Sequence, residues 1–139
     1  MQTHIGHLQF TVNGANIAFY RELMAFLGWQ TIYDGPVEAN MPMLGVGGAS
    51  GASVWFAGSA KPVKNDYDGP GLNHVGIGAA SIADVDATVA FLNAKGVPAL
   101  FETPRHRPDF ASSDKDTYYQ VMFESPDRIL FEVVYIGPK

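Results

Sequence analysis

The sequence predicts an α+β protein built from two copies of one module, each a strand, a helix and three further strands (βαβββ). Three observations carry this. The strand-like runs GHLQFTV, with His7, and NHVGIG, with His74, lie about half the chain apart. Each is followed by a segment whose apolar residues recur at helical spacing. Between the halves, Lys61 to Gly71 (KPVKNDYDGPG) is polar and rich in turn residues, which marks a hinge. The modules are therefore expected at 1–60 and 72–139, joined by a linker at 61–71.

Taken in order, Ile5 to Val12 alternates as a half-buried strand does. Ala15 to Leu27 places Ile17, Tyr20, Met24 and Leu27 on one helical stripe, with Gly28 as the stop. Strands follow at Trp29–Tyr33, Asn40–Val46 and Ala52–Ala57, separated by Asp34-Gly35-Pro36 and by Gly47 to Gly51. The layout then restarts with a strand from Leu72 to Ala79. Ser81, with Asp84 three residues on, reads as a helix cap. Ile82, Val85, Val89 and Leu92 form the apolar stripe of that helix, and Gly96 ends it. Val97–Phe101 is a strand, Thr103–Asp116 a long loop, and Tyr118–Phe123 and Ile129–Ile136 are strands joined by a turn at Ser125-Pro126-Asp127.

Composition narrows the function classes. The 139 residues, 47% hydrophobic and 17% charged, fit an ordinary globular protein with room for a core. A net charge of −5 with no Lys/Arg run argues against a nucleic-acid partner. No window approaches the roughly 20 apolar residues of a membrane span, and the start MQTHIGHLQF has no signal-peptide character. A cytoplasmic location without a membrane partner is the expectation. The absence of cysteine excludes disulfides, thiolate metal sites and a cysteine nucleophile, leaving nitrogen and oxygen as metal ligands.

The runs GHLQFTV, GLNHVGIGAASIADVDATVAFLNAKGVP and YYQVMFESPDRILFEVVY resemble the vicinal oxygen chelate superfamily over essentially the whole chain. That group includes glyoxalase I, extradiol dioxygenases, and fosfomycin- and bleomycin-resistance proteins. The resemblance implies curled mixed sheets around a metal-binding cleft, helices outside, and a small-molecule substrate. It also implies a homodimer, with modules paired within one chain or across two. One departure is local: Arg128 stands in the final hairpin turn where the family usually has glycine.

Alternation puts His7, Gln9 and Thr11 on one face of their strand and Leu8, Phe10 and Val12 on the other; His74, Gly76 and Gly78 oppose Val75 and Ile77 in the same way. The apolar faces must cover the helices, so both histidines belong to the cleft side. Taken alone, a strand histidine is more often a structural, hydrogen-bonded residue. Glu132 strengthens the case, because it interrupts ILFEVVYI and a buried carboxylate needs compensation from a cation or tight hydrogen bonds. An internal ion pair with an arginine is its other explanation. Together His7, His74 and Glu132 make a two-histidine, one-carboxylate set suited to one Fe(II), Mn(II), Ni(II) or Zn(II) ion.

Glyoxalase I-like members carry a further acidic ligand on the fourth strand, where this chain has Ser53, Val54, Trp55 and Phe56. A four-ligand glyoxalase I site is therefore not expected, and the three-ligand pattern is closer to the dioxygenases and fosfomycin-resistance proteins. Trp55 or Phe56 would line the cleft for an organic substrate, or simply pack the core. Arg105, His106 and Arg107 would fold over the cleft to contact an anionic group or donate a proton, unless they are merely solvated. Of the adjacent Tyr118 and Tyr119, one should face the cleft as a hydrogen-bond donor. His4 reads as surface. The leading expectation is a metal-dependent enzyme with dioxygenase-, lyase- or isomerase-like chemistry. The alternatives are a metal-free, bleomycin-resistance-like sequestration protein and a fosfomycin-resistance-like transferase, for which no cationic cradle is evident in the sequence.

Overall fold

Strand alternation decides which side of each sheet meets a helix. The computed structural model describes residues 1–38, 41–61 and 63–139 and divides into two compact units, Met1–Val63 and Lys64–Lys139. The first unit contains β1 (His7–Asn13), α1 (Ile17–Phe26), β2 (Gln30–Glu38), β3 (Met41–Gly47) and β4 (Ser53–Ser59). Its sheet runs β1-β4-β3-β2, with β1 parallel to β4 and the other pairs antiparallel. Phe10, Val12, Leu44, Val46, Val54 and Phe56 share the face that α1 covers with Ile17, Tyr20, Leu23 and Met24. Asn13 accepts a hydrogen bond from the Ala15 N–H at 3.0 Å, so the strand ends in a short 3-10 turn that leads into α1.

The second unit repeats this with β5 (His74–Gly78), α2 (Ile82–Ala94), β6 (Ala99–His106), β7 (Asp116–Glu124) and β8 (Leu130–Pro138). The sheet order is β5-β8-β7-β6, again with one parallel pair, β5 with β8. Ser81 caps α2 by accepting from the Asp84 N–H at 3.2 Å, and Gly96 leaves it with φ +68°. Val85 and Leu92 meet Val75, Val121, Phe123, Phe131 and Val133 on the helix side. No described helix is long and apolar enough to cross a membrane. The α+β class and the repeated βαβββ order are as the sequence predicts.

Two boundaries differ from expectation. β2 runs through Asp34-Gly35-Pro36, which the sequence marks as punctuation. It is an edge strand with register shifts at Thr31/Tyr33 and Pro36/Glu38, where a missing N–H and a glycine are tolerated. The expected loop Thr103–Asp116 is also shorter. β6 bulges between Leu100 and Arg105, with Phe101 and Glu102 at positive φ, and then resumes as Arg105↔Gln120 and His106↔Tyr119. The connection therefore starts at Arg107 and holds a 3-10 turn, Pro108–Phe110. The expected start of the third strand, Asn40, lies outside the described residues.

Arg128, in the final hairpin turn, adopts φ +59°. Its guanidinium reaches Asp66 at 3.0 Å and Asp68 at 2.6 Å and lies over the Tyr67 ring at 4.5 Å, with Tyr67 itself donating to Glu124. The arginine thus ties the segment before β5 to the β7–β8 hairpin and offsets the strain of a left-handed backbone. Arg128→Ala keeps the strain without the ties, whereas Arg128→Gly loses the ties and relieves the strain. The glycine variant should be the more stable of the two by about 1 kcal/mol in urea denaturation.

Candidate metal centre

Register assembles the centre within the second unit. Gly76 pairs with Glu132 and Met122 lies across from it, so His74, Gly76, Tyr118, Gln120, Met122 and Glu132 share the face turned away from α2. Leu130, Glu132, Val134 and Gln120 on that face are each less than one-tenth exposed. Glu132 is a carboxylate in a largely apolar wall, and two groups answer it. The Tyr118 hydroxyl donates to Oε1 at 2.8 Å, and His74 Nε2 stands 3.3 Å from Oε2. At Gly76 a Cβ would come within 3.4 Å of Oε2, so the absent side chain leaves this oxygen accessible.

Asn73 sets the histidine. Its amide nitrogen donates to the Tyr67 carbonyl at 3.0 Å, which leaves its Oδ1 to accept from His74 Nδ1 at 2.8 Å. Nδ1 therefore faces Asn73, and the ring turns Nε2 towards Glu132. Donor atoms 3.3 Å apart can each lie about 2.1 Å from one ion, at an angle of roughly 100°, which suits octahedral or tetrahedral coordination. The donor set fits a divalent cation. Within either unit, no group of three His, Asp or Glu side chains with metal-holding geometry occurs among the described residues.

The remaining candidates divide by face. Tyr118 points to Glu132, and burial with the Glu132 hydrogen bond pushes its hydroxyl up to about 12, so it stays a donor. Tyr119 points the other way and donates to Asp86 on α2 at 2.8 Å; burial first, then that bond, raises its pKa. His106 shares the helix side with Tyr119. Its Nδ1 is 2.5 Å from Thr117 Oγ1 and its ring lies 4.6 Å from that of Tyr119. It is not on the Glu132 face. Arg105 is on that face, through its pairing with Gln120. Arg107 stacks over Phe110 at 4.2 Å, and Phe110 packs edge-on to Tyr118 at 5.4 Å.

In the first unit His7 opens β1 on the face away from α1, with Gln9 and Thr11. Trp55 pairs with Gln9 and belongs to that face, where its indole covers Gly45; a Cβ there would meet the ring at 2.6 Å. Phe56 does not. It is fully buried on the helix side, stacked on Tyr20 at 4.3 Å. His4 precedes β1 and is exposed. Asn73 and Phe110 escaped the sequence reading; the adjacency of Asn73 to His74 was the available signal for the first.

Tyr118→Phe is expected to weaken metal binding by about 10- to 100-fold, because it frees Glu132 Oε1 to rotate away. Tyr119→Phe should leave metal affinity unchanged. Titration calorimetry on the two variants distinguishes them.

Comparison with known proteins agrees with this fold. A glyoxalase-like protein from Bacillus halodurans matches with TM-score 0.71 at 25% identity, covering 96% of each chain. A glyoxylase/bleomycin resistance protein/dioxygenase domain from Frankia sp. matches with TM-score 0.71 at 18% identity, over 100% of this chain and 95% of that one. A mutant fosfomycin resistance protein, FosX, from Listeria monocytogenes, solved with Mn(II) and 1S,2S-dihydroxypropylphosphonic acid, matches with TM-score 0.67 at 17% identity, over 97% and 93%. No curated protein matches the sequence. The family model Glyoxalase/Bleomycin resistance protein/Dioxygenase superfamily matches residues 4–133, and the chain belongs to that superfamily.

Proposed function

We propose that the protein is a divalent-metal-dependent enzyme that binds a small organic substrate through two adjacent oxygens, with His7, His74 and Glu132 as ligands. The observation that carries this reading is the Asn73-set His74 Nε2 lying 3.3 Å from a buried Glu132 oxygen. A bound Fe(II), Mn(II), Ni(II) or Zn(II) ion supplies Lewis acidity for charge developing on the substrate oxygens. Tyr118 holds Oε1, so Oε2 is the oxygen left to the ion. His7, from the first module of the same or a partner chain in a homodimer, completes three ligands and leaves positions open for substrate. Trp55 supplies an apolar wall.

The β4 segment offers Ser53, Val54, Trp55 and Phe56 and no carboxylate, so the reaction is assigned to dioxygenase-, lyase- or isomerase-like chemistry and not to a four-ligand glyoxalase I. Metal analysis of protein purified without chelator tests the proposal. Near-stoichiometric metal, or a melting temperature raised by added Fe(II), Mn(II), Ni(II) or Zn(II), is the expected result. Absence of both would leave metal-free sequestration as the better account.

A further inference from the structure

Two arginines share the face of the sheet that carries the His74–Glu132 centre, and their bonding is incomplete. Arg105 and Arg107 alternate with His106 at the end of β6 and so share one side of the sheet, the side that Gln120 and Glu132 face. The Arg107 backbone N–H donates to the Tyr118 carbonyl at 2.7 Å, which places the residue next to the tyrosine that serves Glu132. Phe110 fills the space between them, stacked under the Arg107 guanidinium and edge-on to Tyr118. The Arg107 Nε and Nη2 contact Asp109 at 3.1 and 2.7 Å, which leaves Nη1 uncommitted.

Arg105 is less satisfied still. Its Nε is buried and has no hydrogen-bond partner, the single such side-chain atom among the described residues. Its Nη1 has a 3.2 Å contact with Glu102, a residue 89% exposed in its side chain. A buried N–H donor without an acceptor is costly, and native structures seldom retain one without a partner supplied from elsewhere. Gln120, paired with Arg105 across the strands and buried, adds an amide on the same face. The two resident carboxylates, Glu102 and Asp109, are both exposed, and solvated ion pairs of this kind contribute little and yield readily to a better acceptor.

We infer that Arg105 and Arg107 form a subsite for an oxyanion group on the substrate, a carboxylate or a phosphoryl, beside the position where its vicinal oxygens are held. This rests on the metal-enzyme reading for the rest of the substrate, but not for the anion itself. Planar forks on neighbouring rungs suit bidentate capture of such a group.

Calorimetric titration of the metal-free protein with benzoate and, separately, with inorganic phosphate tests the subsite. At least one anion should bind at a single saturable site. Binding should weaken about tenfold or more in Arg105→Gln and in the Arg105→Gln/Arg107→Gln double variant. It should tighten in Asp109→Asn, which removes the competing carboxylate, and stay unchanged in Arg21→Ala, which alters an arginine of the first unit. A preference for benzoate assigns a carboxylate substrate, and a preference for phosphate a phosphoryl one. Failure of both anions to bind, equal binding by the Arg105→Gln variant, or no gain in Asp109→Asn overturns the inference. Mn(II) titration of the same preparations reads the metal centre separately. Mn(II) binding without anion binding refutes the subsite alone; anion binding without Mn(II) binding refutes the metal reading and leaves the subsite standing.

Discussion

Glu132→Gln is expected to remove the rise in melting temperature that Mn(II) or Zn(II) produces in the parent protein, with metal affinity falling by more than about 100-fold. Loss of a residue that merely orients a ligand costs about 10- to 100-fold, and loss of a ligand should exceed that. The substitution is conservative in shape. Glutamine keeps an oxygen to accept from Tyr118, and it removes a charge held at 4% exposure in a largely apolar wall. The metal-free variant should therefore fold with stability within about 1 kcal/mol of the parent, since relief of carboxylate desolvation offsets the lost His74 contact. Calorimetric titration with thermal melts in the presence and absence of metal reads both quantities. Unchanged affinity would remove Glu132 from the ligand set. A collapse of the metal-free fold would show that the carboxylate serves stability first.

Phe56→Ala should cost about 3–5 kcal/mol, while Trp55→Ala, one residue away, should cost about 2 kcal/mol or less. The contrast follows from β4 alternation. Phe56 is fully buried between Tyr20, at 4.3 Å, and Phe10, at 5.7 Å, so truncation opens a cavity in the core that α1 closes. Trp55 lies on the open face over Gly45, with a 3.0 Å hydrogen bond from its indole N–H to Ser53. Removing it exposes a glycine but leaves the helix-side packing intact. Urea denaturation of both variants checks the assignment; equal losses would mean that both aromatics belong to one core.

Much of this was legible because period-2 and period-3.6 patterns are strong in this chain. The alternation of His7 and His74 against their apolar neighbours placed both histidines opposite the helices, and register across β5 and β8 agrees for His74. Glu132 was legible as a single charge within an apolar run. What alternation could not supply was absolute phase across partners. Tyr118 and Tyr119, or Trp55 and Phe56, are adjacent, so one of each must face the open side. The choice is made by the β7–β8 and β1–β4 registers, which are long-range pairings. The face of His106 was illegible for a related reason. Thr103-Pro104 reads as loop, whereas the β6 bulge carries the strand on to His106 and turns that ring towards Thr117. Gly35 and Pro36 concealed the length of β2 in the same way, because an edge strand accepts residues that an interior strand rejects.

The proposed function depends on His74 and Glu132 holding a metal ion. The most direct measurement is an anomalous difference map from crystals of the protein grown with Mn(II) or Zn(II), recorded at the absorption edge of the metal. One strong peak per chain is expected within about 2.0–2.3 Å of both His74 Nε2 and Glu132 Oε2. A map without a peak there, or with the metal only at other residues, would contradict it.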